Sequence, residues 1–228
     1  HEVCSCPEQK TSLTLRNCCN VPRTDGARSQ DKQKYLRDAN RFERYLIDNP
    51  EDARAWFYLA QSYRDGGQVK KALQPLDEAL KYSTWDEERY MLLLRKGRYE
   101  IEAGLCGERA VGHLMKAYNE RPLRHEALGT LLSYYRANDM FHAGILVGEI
   151  LVSLEYPSAD VLFVESDFHD YRAKDDLSVC YYWVGRYEES YDLTKSLLES
   201  GRVPPGQLNR IRKNHKFSEE KIGVSQKS

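Results

Sequence analysis

From Ala53 to Leu80 apolar residues recur once per helical turn. Trp56, Leu59, Ala60 and Tyr63 mark one stripe, and Ala72, Leu76 and Ala79 mark a second. These spacings predict two amphipathic helices joined at Gly66-Gly67, with small Ala60 and Ala72 where the helix axes come closest. One such pair cannot bury its own apolar face, so the pattern requires copies stacked beside it. Ala110, Leu114, Ala117 and Pro122 repeat the second helix. Leu128, Leu131, Leu132, Tyr135, Phe141 and Gly144 repeat most of the unit, and Leu177, Tyr181, Gly185, Tyr187, Ser190 and Leu197 repeat it again. The small positions Ala72, Ala110, Gly144 and Ser190 are spaced by 38, 34 and 46 residues, so the extra residues belong to insertions on one face.

The unit resembles one tetratricopeptide repeat, which implies an all-α, TPR-like α-α superhelix. Before it, Tyr35, Phe42, Tyr45 and Leu46 form a capping helix that stops at Asn49-Pro50. Between the third and fourth units Tyr156-Pro157-Ser158 breaks the helix, Val161 to Val164 reads as a short strand-like strap, and Ser166-Asp167 can cap the next helix. Pro75 should kink the second helix or unpair a carbonyl. The expected organisation is an irregular, β-like segment over 1–26, a connector and capping helix over 27–50, and repeats over 51–201. The units run 53–84, 88–122, 125–153 and 171–200, with the insertion at 154–170. A basic capping helix over 204–217, containing Arg210, Arg212, Lys213, His215 and Lys216, precedes a polar tail over 218–228.

Composition narrows the function classes. The chain is 41% hydrophobic and 30% charged with a formal net charge of −1, whereas nucleic-acid binding needs a dense basic footprint. No apolar run approaches the ~20 residues of a membrane-spanning helix, and no N-terminal stretch has the order of a signal peptide. The expected compartment is cytoplasmic. His1 opens the chain without a methionine, so a fragment of a longer protein is expected.

Longer phrases give a narrower likeness. WFYLAQSYRDGGQ, STWDEERY, LMKAYNERPLRHEAL, VLFVESDFHDYRAKDDLSVCYYWVGRYEES and the closing LNRIRKN together resemble the helical-repeat region behind the catalytic domain of certain family 2 glycosyltransferases. The likeness runs from about Asp25 to Asn214. It implies an upstream nucleotide-sugar-binding domain of the GT-A fold, whose last strand often carries a His-Glu pair similar to His1-Glu2. On that likeness His1 is a candidate metal ligand in an intact enzyme, and the divalent cation and nucleotide sugar belong to the upstream domain.

Within the chain itself catalytic chemistry is not assembled. A GT-A site needs an Asp-x-Asp motif to hold the cation and a carboxylate to deprotonate the acceptor. Glu165, Asp167 and Asp170 lie close together but between repeats, where a solvated, helix-capping loop is expected. Cys4, Cys6, Cys18 and Cys19 fall within 16 residues. Zinc and disulfides are alternatives there, but the spacing lacks paired Cys-x2-4-Cys knuckles and reduced thiols are expected. Cys106 and Cys180 read as small apolar residues inside helices. His113, His125, His142, His169 and His215 are scattered, and no metal or catalytic cluster follows. Most tyrosines, including Tyr58, Tyr63, Tyr135, Tyr181, Tyr182 and Tyr187, read as packing between helices.

What remains is the inner, concave face lined by the first helix of each unit. Projection places Arg54, Phe57, Gln61 and Arg64 there with Glu126, Ser133 and Arg136, and with Arg172, Asp175, Val179 and Tyr182. Its arginine bias suits an acidic peptide or an anionic glycan, against the plainer reading of a solvated face with local ion pairs. Two functions follow: a non-catalytic scaffold presenting an acceptor or partner to an upstream sugar-transferring domain, or a stand-alone protein-binding adaptor. Either way the purified chain is expected to transfer no sugar. A coupled assay for nucleoside diphosphate release should read background, and turnover above background overturns that expectation.

Overall fold

A computed structural model describes residue 31 and residues 33–225. The segment 1–26, with its four cysteines and His1, lies outside the described residues. Among the described residues ten α-helices and one π-helical turn run in order: α1 Lys34–Asp48, α2 Ala53–Asp65, α3 Val69–Tyr82, α4 Asp86–Glu102, α5 Gly107–Glu120, α6 His125–Ala137 and α7 Phe141–Ser153. The π turn Phe168–Arg172 then leads into α8 Ala173–Trp183, α9 Tyr187–Glu199 and α10 Pro205–Ser225.

Each helix packs on its neighbours in sequence, and α4 also meets α6, α6 meets α8, and α8 meets α10. Thus α2, α4, α6 and α8 are first helices forming one layer, the inner face, and α10 stands where a further first helix would. The first-to-second helix turns share a device: Gly67, Gly104, Asp139 and Gly185 all have positive φ, between 57° and 82°, which ends one helix and reverses the chain. Only the third unit uses a side-chain-bearing residue, and aspartate tolerates this region better than most.

Close helix contact rests on small residues. Ala60, Ala72, Ala110 and Ala117 have no exposed surface, and a methyl on Gly97 would lie 2.6 Å from a Leu114 carbon. One apolar core runs through the array from Phe57 to Tyr181. A smaller cluster under α1 contains Ala39, Leu46 and Leu59, and another seats α10 through Leu197, Val203 and Ile211.

Three expectations change and one holds. Among the described residues there is no strand: Val161 to Val164 is irregular, because no neighbouring strand supplies a ladder. Pro75, whose ring is buried within α3, shows the second of its two expected effects: it has no N–H for the Lys71 carbonyl, which belongs to a solvent-exposed residue. Cys106 is exposed at the N-cap of α5 rather than packed inside a helix. Helix α10 continues past Phe217 to Ser225, since Ser218 is buried against Ser190, 2.9 Å between hydroxyls.

Phe168 anchors the π turn. Its ring occupies the space a side chain at Gly129 would take, since a methyl at that position would lie only 2.2 Å from Cδ1. Gly129→Ala should therefore cost about 1–3 kcal/mol in urea unfolding, as overpacked cores do. Combined with Phe168→Leu, the two losses should sum to less than their separate values.

Candidate functional site

The centre of the inner face is built around Arg124. This residue is the N-cap of α6 and has no exposed surface. Its Nε and Nη2 donate to the Glu126 carboxylate at 3.0 and 2.7 Å, and its guanidinium lies over the Tyr90 ring, 4.6 Å from the centroid. Tyr90 donates to Glu126 at 2.9 Å and accepts from the Ala127 N–H at 3.0 Å. Burial alone would raise the Glu126 carboxyl, but the Arg124 hydrogen bonds and charge, with the Glu165 N–H, hold it below the usual glutamate range.

These groups capture the insertion. Arg124 donates to the Leu162 carbonyl at 3.0 Å and to the Phe163 carbonyl at 3.3 Å. Buried Glu87, on α4, accepts the N–H groups of Val161 and Leu162 at 2.9 and 2.8 Å. Glu126 accepts that of Glu165 at 2.9 Å. An extended segment must satisfy its backbone somewhere, and here side chains replace the ladder. Asp160 pairs with Arg121, and Glu165 takes a two-pronged contact from Arg98 at 2.6 and 3.1 Å. Phe163 stacks on Phe57 with ring planes 8° apart, and Arg95 covers Phe57 at 4.1 Å. Glu165 is thus an anchor rather than part of a solvated loop. Asp167 accepts from Arg172 at 3.1 Å and makes no side-chain cap bond.

The strap divides the projected groove. Phe57 is buried beneath it, and Glu126 is consumed in holding it. Most of the arginines are already paired: Arg64 with Glu102 and Asp65, Arg136 with Asp176, Arg172 with Asp167. Ser133 donates to Asp176 at 2.5 Å, and burial raises that carboxyl against the opposing Ser133 bond and Arg136 charge. Asp175 is buried under α10, gripped by Arg210 at 3.0 and 2.5 Å. The arginine bias is therefore largely neutralised within the fold.

Two sections stay open. Between α1 and α2 lies a groove of about 800 Å³ lined by Tyr35, Phe42, Tyr45 and Tyr58, with Arg54 and Gln61 at its α2 wall. Tyr45 is 47% exposed and donates to Asp52 at 3.0 Å, so it leaves the capping stripe for the groove. At the other end Val179, Tyr182, Trp183 and Phe217 enclose about 280 Å³, with Tyr182 edge-on to Trp183 and Tyr187. Elsewhere, His125 and His169 meet edge to face at 5.2 Å beside a third cavity. Burial lowers the His125 pKa, and among the described residues no group of three His, Cys, Asp or Glu could hold a metal ion. Cys180 is buried, its thiol pushed up to about 11 by that burial. Among the described residues no helix is long and apolar enough to cross a membrane.

No protein-family model matches the chain, and no curated protein matches it. Solved structures do. The C-terminal part of a TPR repeat-containing protein from Cytophaga hutchinsonii superposes with TM-score 0.67 at 12% identity, covering 86% of this chain and 69% of that one. BtubC (BKLC) from P. vanneervenii gives 0.64 at 14%, covering 89% and 87%. MamA gives 0.59 at 17%, covering 80% and 96%. The fold is a tetratricopeptide-like helical repeat. At these identities the likeness concerns fold alone and does not bear on the glycosyltransferase context.

Sequence reasoning misses Arg124, Glu87 and Tyr90. The available signal is the run Arg121, Arg124, His125, Glu126 at a helix start, where a basic N-cap is unfavourable unless it is committed elsewhere. Because the folded Glu126 carboxyl sits below its unfolded value, its contribution is present above the ordinary glutamate range and is lost as pH falls through the folded pKa. The stability advantage of the native chain over Glu126→Gln, read by urea unfolding, should shrink between about pH 5 and about pH 3. Equal advantages at both pH values would show that the carboxylate charge is not the anchor.

Proposed function

We propose that the chain is a non-catalytic interaction scaffold that receives a protein segment in the α1–α2 groove. The observation that carries this reading is the contrast along the inner face: the strap fills the centre, while the α1–α2 end keeps about 800 Å³ of aromatic-lined space. Tyr35, Phe42, Tyr45 and Tyr58 offer rigid, amphipathic contact area of the kind that dominates recognition surfaces. Arg54 is exposed at the same wall and can fix a carbonyl or carboxylate of the occupant.

The resemblance to the repeats behind a GT-A domain supports a finer context. There the scaffold positions a partner or acceptor for an upstream sugar-transferring domain, which alone would bind cation and nucleotide sugar. One feature favours a glycan acceptor as a second reading: rings alternate with carboxylates in the groove, as Tyr45 does with Asp38 and Asp52, suiting both faces and hydroxyls of a sugar.

A photo-reactive amino acid at Arg54 in the full-length protein, expressed in its own cells, tests the site. Adducts are expected there and not from a control at Met115 on the second-helix layer. Mass spectrometry of the adduct separates protein from glycan. Adducts only from Met115, or none from Arg54, would overturn the assignment.

A further inference from the structure

The strap is bound as a ligand would be. Three of its N–H groups and two of its carbonyls are read by helix side chains, the part of recognition indifferent to sequence. Three of its side chains then enter separate seats: Asp160 against Arg121 and Arg124, Phe163 against Phe57 and Arg95, Glu165 against Arg98. Every group that makes these seats lies between Phe57 and Glu126 in the chain, wholly N-terminal to the strap. The receptor is complete without the segment that occupies it.

We propose that the α4–α6 section of the inner face is a second binding site, for an extended peptide with the pattern acidic-x-x-aromatic-x-acidic. The chain's own Asp160 to Glu165 holds it shut as a tethered competitor. Charge complementarity names the occupant: Arg95, Arg98, Arg121 and Arg124 converge on the seats, and Glu87 and Glu126 are committed to peptide N–H groups. The strap is also partly open to solvent and locally strained. Val161 is 77% and Phe163 49% exposed, and Phe163 sits at φ 50°, a left-handed conformation that a bulky residue holds only under constraint. A displacing peptide keeps Arg124 and Glu126 covered, whereas simple release wets them.

Tethering gives the strap an effective concentration of about millimolar, so a free peptide competes poorly until the strap is weakened. The probe is a fluorescein-labelled synthetic peptide with the sequence of residues 158–167. In the chain carrying Asp160→Ala, Phe163→Ala and Glu165→Ala together, with circular dichroism showing intact helices, it should bind about 100-fold more tightly than to the native chain. A peptide with alanine in place of its phenylalanine should lose most of that gain. Adding Tyr45→Ala should leave binding unchanged; a loss there would move the site to the α1–α2 groove and overturn the proposal. So would a folded triple variant that binds no better than the native chain. If the triple variant does not fold, hydrogen exchange of the native chain decides. The Val161, Leu162 and Glu165 amides should exchange through local opening, ahead of α4 and α6, and exchange only with global unfolding would exclude a displaceable strap.

Discussion

A guanidinium with no exposed surface is costly unless every direction around it is answered. Arg124 is answered on all sides: by the Glu126 carboxylate, by the Tyr90 ring, and by two carbonyls of a segment 38 and 39 residues further along the chain. The last pair matters most. Without the strap, a cation and its carboxylate partner would lie in an open groove, and Glu87 would face water instead of two peptide N–H groups. The charge thus fixes where the insertion lies, and the insertion in turn completes the surroundings of the charge. Both carboxylates stand in first turns of helices, where the backbone dipole favours them, so the arrangement draws on helix ends that the repeat supplies anyway.

That constraint decides how the inner face is divided. An open tetratricopeptide-like array would present one continuous surface from α2 to α10. Here the strap crosses α4 and brings Phe163 onto Phe57 of α2, leaving the α1–α2 groove as the large opening and a small apolar cavity beside α10. The ion pairs of Arg64, Arg136 and Arg172 act in the same direction, since each neutralises a charge that a solvated groove would have left to a ligand.

The helices are legible in the sequence because their signal is local: apolar residues at i, i+3 and i+4, glycines at turns, alanines at close contacts. The same signal places Ala60, Leu76, Leu114 and Leu131 in the core, where they are fully buried. It fails where a residue's partner is distant. Phe57 has the spacing of a groove residue but is covered by Arg95 from the next unit and by Phe163, more than a hundred positions later, whose backbone conformation no periodicity encodes. Asp175 has the spacing of a groove carboxylate, yet α10 brings Arg210 over it. Glu165 reads as solvated because it lies in a polar stretch between repeats, whereas Arg98 reaches it from α4. Arg124 is the hardest to see. A lone arginine beside a helix start reads as surface unless the acceptors of its five N–H groups are known.

Repeat arrays usually couple each unit to its immediate neighbours alone, so their stability behaves as a sum along one axis. Contacts from Glu87 to Val161 and Leu162 span 74 and 75 residues, and closing so long a loop adds an entropic cost that grows only slowly with length. In exchange, α2, α4 and α6 are tied across the inner face as well as along the stack. The tie reaches the open groove by two routes: Arg95, which covers Phe57 beneath Phe163, also donates to Gln61 at 3.0 Å, and Phe57 meets the groove residue Tyr58 edge-on at 5.5 Å. Gln61 lines the α1–α2 groove. The strap and the α1–α2 groove are therefore linked through side chains of α2 and α4, so that the segment lying over one section of the inner face also supports a wall of the other.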